Sequence, residues 1–432
     1  MAPDSTRAES NRLLAEDRSV HDWYRFVLSF PPHLVRTYLE RFGLNKDNTV
    51  LDPFCGTGTT LVECKKLGIN CIGIEALPMA YFASRVKLNW GAKPEALQQH
   101  ASKIAIETEQ ELAYYKRNGR SNKTSIEASR TLESLPPEKT TLLIKDSISP
   151  IPLHKTLILL SVIERLKNDL FYDYERLALA KSLVTSTGNL RFGPEVGIGS
   201  IKSDADVVGV WLNEMGAMTA DLADFGGING AQSSVYCADA RDLDRILKPE
   251  SVDVVFTSPP YPNEKDYTRT TRLESVILGF IADKSDLRNL KQTLLRSNTR
   301  NVYKQDDDDK WVNNCEEIRE ISEMIERKRV DLGKTSGFEK LYSRVTMLYF
   351  GGMYKHLFQL RPALKSGARL AYVVGDQASY LQVMIRTGHI LAQIAQSLGY
   401  ELESIDLFRS RFATATKQDL REEVVVLRWP GK

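Results

Sequence analysis

The chain has 432 residues, of which 42% are apolar and 26% charged, and its formal net charge is +2. This composition is typical of a globular protein with a sizeable core and excludes a disordered or fibrous chain. The near-neutral charge neither favours nor excludes a nucleic-acid partner. Five cysteines without paired spacing predict reduced thiols in the cytoplasm, and the lack of any apolar run of about 18 residues predicts no membrane span.

Helices and strands are predicted to alternate in the N-terminal part of the chain. After a polar tail at 1–20, apolar residues at helical spacing are followed by short apolar runs that end in tight turns. The predicted elements are, in chain order, a helix at 33–42, a strand at 49–54, a helix at 59–66, a strand at 68–75 and a helix at 80–88. Strands connected in this way pair in parallel, so residues 21–90 predict one half of a parallel α/β sheet.

Two long segments interrupt this alternation. Residues 91–230 are polar, helix-prone and in places glycine-rich, and they are too long for a crossover, which predicts an inserted subdomain. Residues 263–340 predict a second insertion, helical and highly charged. Its aspartates at 306–309 are expected in a solvated loop, because like charges in a row repel one another.

The sheet pattern continues on either side of the second insertion. The predicted elements are strands at 234–239 and 252–256 within 231–262, and, within 341–432, a helix at 341–360, a strand at 364–375, a helix at 385–398 and strands at 400–405 and 422–428. We therefore expect the core to be assembled from 21–90, 231–262 and 341–432.

A glycine loop, DPFCGTGT at 52–59, lies between the first predicted strand and the next helix. Its glycines allow close approach of the backbone to a ligand, and the helix N-terminus offers free N–H groups. The loop lacks the P-loop pattern and the third glycine of the dinucleotide fingerprint. Asp52 at the strand end favours a cationic ligand over a pyrophosphate. The loop therefore predicts a nucleoside-type cofactor, although a plain turn is the alternative for a GxG pattern alone.

Two further acids end neighbouring predicted strands. Glu75 follows the glycine loop by about 20 residues, where a carboxylate accepts both hydroxyls of a ribose. Asp239 has the same position on a third strand, where it would meet an adenine amine. Each acid alone is also compatible with a charged strand end in water. Because the carboxyl ends of parallel strands share one edge, the three acids together predict one cofactor cleft.

The segment TSPPY at 257–261 directly follows a buried predicted strand. Two prolines fix φ and carry no N–H, which predicts a stiff loop with carbonyl acceptors beside an aromatic ring. Acceptors from Ser258 and Pro259 on a base amine would localise its lone pair toward a methyl donor, and the Tyr261 ring would stack on a flipped base. The alternative is that Pro-Pro-Tyr merely ends the strand.

Together, DPFCGTGT, the glutamate of GIEAL and TSPPY resemble the S-adenosylmethionine-dependent DNA amino-methyltransferases, which modify cytosine N4 or adenine N6. The resemblance covers roughly 23–90, 231–262 and 341–432. It implies an α/β fold with a doubly wound, mostly parallel seven-stranded sheet and helices on both faces. It also implies S-adenosylmethionine as cofactor, double-stranded DNA as partner, base flipping, and a cytoplasmic prokaryotic setting in which a cognate restriction endonuclease acts separately.

The resemblance also implies roles for individual residues. The implied cofactor contacts are Phe30 and His33, from a looser match before the first strand, and Asp52, Pro53, Phe54, Gly56, Gly58, Thr59, Glu75 and Asp239. The implied catalytic loop is Ser258, Pro259, Pro260 and Tyr261. No metal ligand is implied.

A group of basic residues follows the catalytic loop. Lys265, Arg269 and Arg272 are predicted to contact DNA phosphates, and the basic character continues at Lys291, Arg296, Arg300 and Lys304. A solvated, charged helix face is the alternative interpretation.

The leading hypothesis is a sequence-specific DNA amino-methyltransferase. Serine at 258, rather than aspartate or asparagine, favours cytosine N4 over adenine N6 in the resembled family. An RNA methyltransferase and a non-catalytic nucleic-acid-binding module are the other hypotheses. The first insertion interrupts the cofactor half, which is not the common arrangement, so either insertion is a candidate for target recognition.

Overall fold

The structure is a computed structural model that describes residues 13–26, 29–118, 132–193, 195–227, 230–263, 265–413 and 417–431. Most of the predicted polar tail, residues 1–12, lies outside the described residues. The strands are β1 Thr49–Asp52, β2 Asn70–Glu75, β3 Leu190–Arg191, β4 Gly197–Ile198, β5 Ser233–Cys237, β6 Val252–Thr257, β7 Leu364–Gly375, β8 Glu401–Ala413 and β9 Gln418–Arg428.

The α-helices alternate with these strands in the core and dominate the two insertions. They are α1 Pro32–Arg41, α2 Thr59–Lys66, α3 Pro78–Lys87, α4 Pro94–Asn118, α5 Pro137–Thr140, α6 Pro150–Arg165, α7 Tyr172–Ser182, α8 Val207–Phe225, α9 Tyr267–Thr270, α10 Arg272–Ile277, α11 Lys284–Thr293, α12 Glu316–Asp331, α13 Tyr342–Leu360 and α14 Thr387–Ser397. Within the described ranges, no helix is long and apolar enough to cross a membrane.

Among the described residues, seven strands form one sheet in the order β5-β2-β1-β6-β7-β9-β8. The first five strands in this order run parallel to one another, whereas β9 runs antiparallel to both β7 and β8. The predicted fold class, a mostly parallel seven-stranded α/β sheet, is confirmed.

Apolar cores lie on both faces of this sheet. Successive strand residues point to opposite faces, and Val254 packs in one core with α1 and α2, whereas Val255 packs in another with α13 and α14. The sheet is therefore doubly wound, as predicted.

The chain changes direction across the sheet between β1 and β6. Strands β1, β2 and β5 follow one another outward on one side, and β6 and β7 start the other side. In open parallel sheets, ligands bind outside the carboxyl ends of the strands at such a topological switch point. The glycine loop leaves β1 at this point, and the Ser258–Tyr261 loop leaves β6 beside it.

The first insertion packs on the N-terminal segment. Helices α4, α6, α7 and α8 share an apolar core with Trp23, and the Trp23 indole Nε1 donates to Asp221 at 2.7 Å. Val20 is fully buried and Asp17 is 2% exposed, although both belong to the segment predicted as a polar tail. Residues 13–20 thus pack against the protein, because their apolar and acidic side chains find partners that the local sequence does not reveal.

The prediction of a solvated acidic loop at 306–309 is wrong for Asp306 and Asp308, whereas Asp307 is exposed. Asp306 accepts two hydrogen bonds from Arg296 at 2.8 Å, and Asp308 is paired with the buried Arg241. A Cβ at Gly351 in α13 would lie 1.9 Å from the Asp308 carbonyl oxygen, so the acidic segment rests directly on this helix. Arg296 and Arg241 neutralise two of the four aspartates. These ion pairs depend on the fold, so the run of like charges in the sequence did not reveal them.

Candidate active site

A cavity of about 630 Å³ opens at the carboxyl ends of β1, β2, β6 and β7. Its volume falls within the range of about 300–1,000 Å³ that is common for small-molecule sites. Both insertions contribute to its wall, the first through Gly193 and Glu195 and the second through Leu294 and Asn301 among others. The sequence-predicted residues that line it are Phe30, Pro53, Phe54, Gly56, Thr59, Glu75, Asp239, Ser258, Pro259, Pro260, Tyr261 and Lys265.

The glycine loop owes its shape to two left-handed residues and a buried lysine. Gly56 and Gly58 have φ values of 52° and 85°, a region that L side chains rarely adopt. A Cβ on Gly58 would also lie 3.0 Å from the Ser84 Cβ. The Lys87 ammonium, 1% exposed, donates to the Thr57 carbonyl at 3.0 Å, and burial lowers its pKa well below the usual value. Gly58 therefore shapes the loop from behind rather than lining the cavity.

Glu75 connects the end of β2 to the glycine loop. Its Oε2 accepts from the Gly56 N–H at 2.8 Å, and its Oε1 accepts from the Leu77 N–H at 2.8 Å. Burial raises the pKa of this carboxyl to about 7. Each carboxylate oxygen has a further lone pair, so Glu75 is able to accept hydrogen bonds from ligand hydroxyls as well.

Asp52 lies beneath the cavity and does not line it. It is 0% exposed, and its Oδ1 accepts from the Thr257 hydroxyl at 2.6 Å and from the Phe54 N–H at 3.2 Å. No residue of the described ranges bonds its buried Oδ2, and burial raises its pKa to about 6. Asp52 thus joins β1 to β6 and holds the start of the glycine loop. His33, in the first turn of α1, also stays outside the cavity lining.

Asp239 lines the cavity while it forms an ion pair with Arg241. The two side chains contact at 2.6 Å, and the same guanidinium pairs with Asp308 of the second insertion. Arg241 is 7% exposed and also donates to the Thr293 carbonyl at 3.3 Å. The position of Asp239 is therefore tied to that of the second insertion.

The Ser258 hydroxyl already donates its hydrogen to another group of the protein. The Oγ donates to the Val373 carbonyl of β7 at 3.0 Å. A hydroxyl has one donor and two acceptor lone pairs, so this contact leaves the acceptors of Ser258 for a ligand in the cavity. Pro259 and Pro260 beside it have no N–H, and the loop as a whole presents acceptors.

Tyr261 is held by the antiparallel end of the sheet. Its hydroxyl donates to Glu422 of β9 at 2.8 Å, and Glu422 in turn pairs with Arg409 of β8. A Cβ at Gly375 would lie 2.8 Å from the Tyr261 ring, so the ring packs directly on the β7 backbone. Burial and the Glu422 carboxylate raise the pKa of Tyr261 well above its usual value, and the phenol stays protonated.

The predicted DNA contacts occupy different surroundings. Lys265 lines the cavity, and Arg269 borders a smaller neighbouring cavity. Arg272 points elsewhere, because its guanidinium donates to the Thr268 and Leu142 carbonyls at 3.0 and 3.2 Å. Lys291 and Arg296 are likewise engaged, in ion pairs with carboxylates of their own insertion.

The contribution of β8 and β9 to the cavity was not predicted from the sequence. Side chains from these strands and the adjoining end of β7 line it, namely Asp376, Arg409, Arg411, Arg421 and Glu422. The predicted strand ended at 405, whereas β8 continues to Ala413. The alternation of Arg409 and Arg411 at a spacing of two was a signal that the strand continues with one face toward the site.

Comparison with known proteins shows which family and which relatives this chain is similar to. A family model described as DNA methylase, N6_N4_Mtase, matches residues 7–81, which include the glycine loop and Glu75.

Three curated relatives carry methyltransferase names. The type II methyltransferase M.BsoBI of Geobacillus stearothermophilus is 26% identical over 462 aligned residues, which cover 93% of this chain and 83% of the relative. M.AvaI of Nostoc sp. strain PCC 7120 is 22% identical, over 94% of this chain and 86% of the relative. M.MjaII of Methanocaldococcus jannaschii is 41% identical over 71 residues, 16% of this chain. The similarity to the first two extends over most of both insertions as well as the core.

Proposed function

We propose that this chain, which belongs to the S-adenosylmethionine-dependent DNA amino-methyltransferases, methylates the N4 amine of cytosine at a specific sequence in double-stranded DNA. It is a DNA methyltransferase, and S-adenosylmethionine is its cofactor. The observation that carries the proposal is that Ser258 and Tyr261 line the same cavity as the glycine loop and Glu75. Methyl donor and target amine would thus meet in one place.

The residues at the switch point fit this cofactor. Glu75 offers carboxylate lone pairs to ribose hydroxyls, and Asp239 offers an acceptor to the adenine amine. The buried Asp52 Oδ2 without a partner provides negative charge beneath the glycine loop, which suits a ligand with ammonium and sulfonium groups. When bound, S-adenosylmethionine supplies an electrophilic methyl group. Phe30, Pro53, Phe54, Gly56 and Thr59 would line its site.

The catalytic loop would activate the base amine by accepting its hydrogens. The amine lone pair is delocalised into the ring, which makes the amine a weak nucleophile. Ser258 Oγ and the Pro259 carbonyl would accept its two hydrogens and so favour a tetrahedral nitrogen with its lone pair directed at the methyl group. The Tyr261 ring, fixed by Glu422 and Gly375, would stack on the flipped base. The acceptor interactions strengthen as the nitrogen becomes tetrahedral, which is the condition for rate acceleration.

Cytosine is favoured over adenine by the serine at 258, the residue type that the resemblance associates with N4 methylation. Methylation-aware sequencing of DNA from cells that express the wild-type chain or Ser258→Ala tests this. We expect N4-methylcytosine at one sequence in the wild-type sample and its loss in the variant. N6-methyladenine would overturn the base assignment, and methylation confined to RNA would overturn the DNA substrate.

Both insertions border the cavity, and we place target recognition on them jointly. A cytoplasmic prokaryotic setting with a separately acting restriction endonuclease accords with the names of the bacterial relatives. If such an endonuclease exists, genomic DNA from cells that express the wild type should resist its cleavage, whereas DNA from cells that express Ser258→Ala should be cut.

A further inference from the structure

In the part of the chain that the structure describes, four cationic side chains line the side of the cavity that holds the catalytic loop, and two of them form ion pairs with carboxylates. Arg409 pairs with Glu422. Arg421 pairs with Asp376 at 3.3 Å and with Glu423 at 3.2 Å. The other two cations are Lys265 and Arg411.

Lys265 and Arg411 form no side-chain ion pair or hydrogen bond with any residue in the described part of the chain. Both line the same cavity, and after burial the charge of Arg411 is the next cause that lowers the pKa of Lys265. Two carboxylates, Glu422 and Glu195, face Lys265 and oppose this shift without forming a salt bridge to it. Two cations that line one cavity without a salt bridge of their own indicate a place for an anion.

The backbone around Lys265 is fixed before any ligand binds. Its N–H donates to the Asn263 Oδ1 at 3.0 Å, and its carbonyl accepts from the Asn298 side-chain amide at 2.9 Å. Arg411 is opposite Leu420 in the β8–β9 ladder. The two cations thus project from two separate, ordered elements toward one space beside the Ser258–Tyr261 loop.

We propose that Lys265 and Arg411 together hold one phosphate of the DNA backbone at the mouth of the cavity, next to the target nucleotide. The inference rests on the proposed function, since it takes DNA as the ligand. It makes the β8–β9 hairpin a DNA-contacting element, in addition to the insertions. The pair lies on the side of Tyr261 and Glu422, away from the cofactor residues on β1, β2 and β5, which favours a substrate phosphate over the cofactor carboxylate.

The salt dependence of DNA binding tests the proposal. Each phosphate contact contributes about 0.9 to the slope of log K against log salt concentration. Because the two cations share one phosphate, the double variant Lys265→Gln/Arg411→Gln should lower the slope by about this amount, and each single variant should lower it by a part of it, measured by fluorescence polarisation with duplex DNA. Lys248 is an exposed lysine that precedes β6, at the amino ends of the parallel strands and therefore opposite the cavity. Lys248→Gln removes the same charge and should leave the slope unchanged. The charge-conserving variants Lys265→Arg and Arg411→Lys should retain the wild-type slope.

Three results would overturn the proposal. The first is an unchanged slope in the double glutamine variant, and the second is an equal loss in Lys248→Gln, which would indicate a general effect of net charge. The third is weaker calorimetric binding of S-adenosylmethionine by the glutamine variants with unchanged DNA binding, which would assign the pair to the cofactor carboxylate. Failure of the proposed function appears separately, as a wild type that binds DNA but transfers no methyl group.

Discussion

Two acidic residues at strand ends, Glu75 and Asp52, show how the surroundings of a carboxyl group determine whether a ligand is able to reach it. Glu75 and Asp52 are equivalent in sequence, each at the carboxyl end of a parallel strand. In the structure Glu75 lines the cavity, whereas Asp52 is completely buried below it. Their identity as strand-end acids was accessible from sequence, but burial depends on the packing of β6 and the glycine loop, which the local pattern does not contain.

Cofactor affinity should depend on pH through Glu75. Burial raises the pKa of this carboxyl to about 7 in the free protein, so it is protonated below that pH. Hydrogen bonds from ribose hydroxyls favour the ionised form, and binding therefore lowers the pKa. By linkage, affinity should fall up to tenfold per pH unit as the pH drops below about 7. Calorimetric titration with S-adenosylmethionine between about pH 6 and 8 measures this.

Glu75→Gln is the matched variant for this pH dependence, since its amide does not titrate. It should bind the cofactor about 10- to 150-fold more weakly at pH 8, from the loss of charge-assisted hydrogen bonds worth about 1.5–3 kcal/mol. Its affinity should also vary less with pH than that of the wild type. An identical pH profile in the two proteins would contradict the role of Glu75.

At the scale of elements, the buried strands, the helices between them and the edge strand β5 were predictable, whereas the second half of the edge strand β8 was not. Strands β1, β2 and β6 are short apolar runs bounded by turns, and their predicted positions match the structure to within a few residues. In contrast, β8 is an edge strand with many exposed polar residues, so the apolar signal stops well before its end at Ala413. For that reason, the contacts that hold the catalytic loop against β7, β9 and β8 were not predicted.

Because Glu422 of β9 accepts a hydrogen bond from the Tyr261 hydroxyl, the effect of a Glu422 substitution on methyl transfer should depend on that hydroxyl. Tyr261→Ala removes base stacking worth about 1–3 kcal/mol and should slow methyl transfer roughly 5- to 150-fold. Tyr261→Phe keeps the ring and should retain most of the activity. Glu422→Ala removes the same hydrogen bond as Tyr261→Phe, so it should slow transfer by a similar, small factor in the wild-type background and have little further effect in Tyr261→Phe. Single-turnover transfer of labelled methyl to duplex DNA measures the wild type, the three single variants and the double variant.

A control for this cycle is Glu403→Ala, which removes an exposed carboxylate from the other end of β8. It should leave the rate unchanged in both backgrounds. If the effects of Glu422→Ala and Tyr261→Phe simply add, Glu422 acts on the site without positioning the tyrosine.

The whole molecule depends on contacts between the core and its insertions. The first insertion shares an apolar core with the N-terminal segment, and the second is joined to the cofactor half by the chain Asp239–Arg241–Asp308. Neither connection follows from local sequence, since each joins residues distant along the chain. The division into core and insertions stays a prediction from sequence, and these contacts show that the segments fold against one another.

Arg241 should therefore support both stability and cofactor binding. Arg241→Met removes the cation from the buried Asp308 and the half-buried Asp239, and breaking a buried pair costs about 3–5 kcal/mol in the free energy of unfolding. Arg369→Met is the control, because its pair with Glu403 on the surface is worth about 1 kcal/mol or less. Urea denaturation measures both changes, and S-adenosylmethionine titration of the folded variants should show weaker binding only for Arg241→Met, where Asp239 has lost its partner. Equal, small losses of stability in the two variants would show that the second insertion is held by its apolar contacts alone.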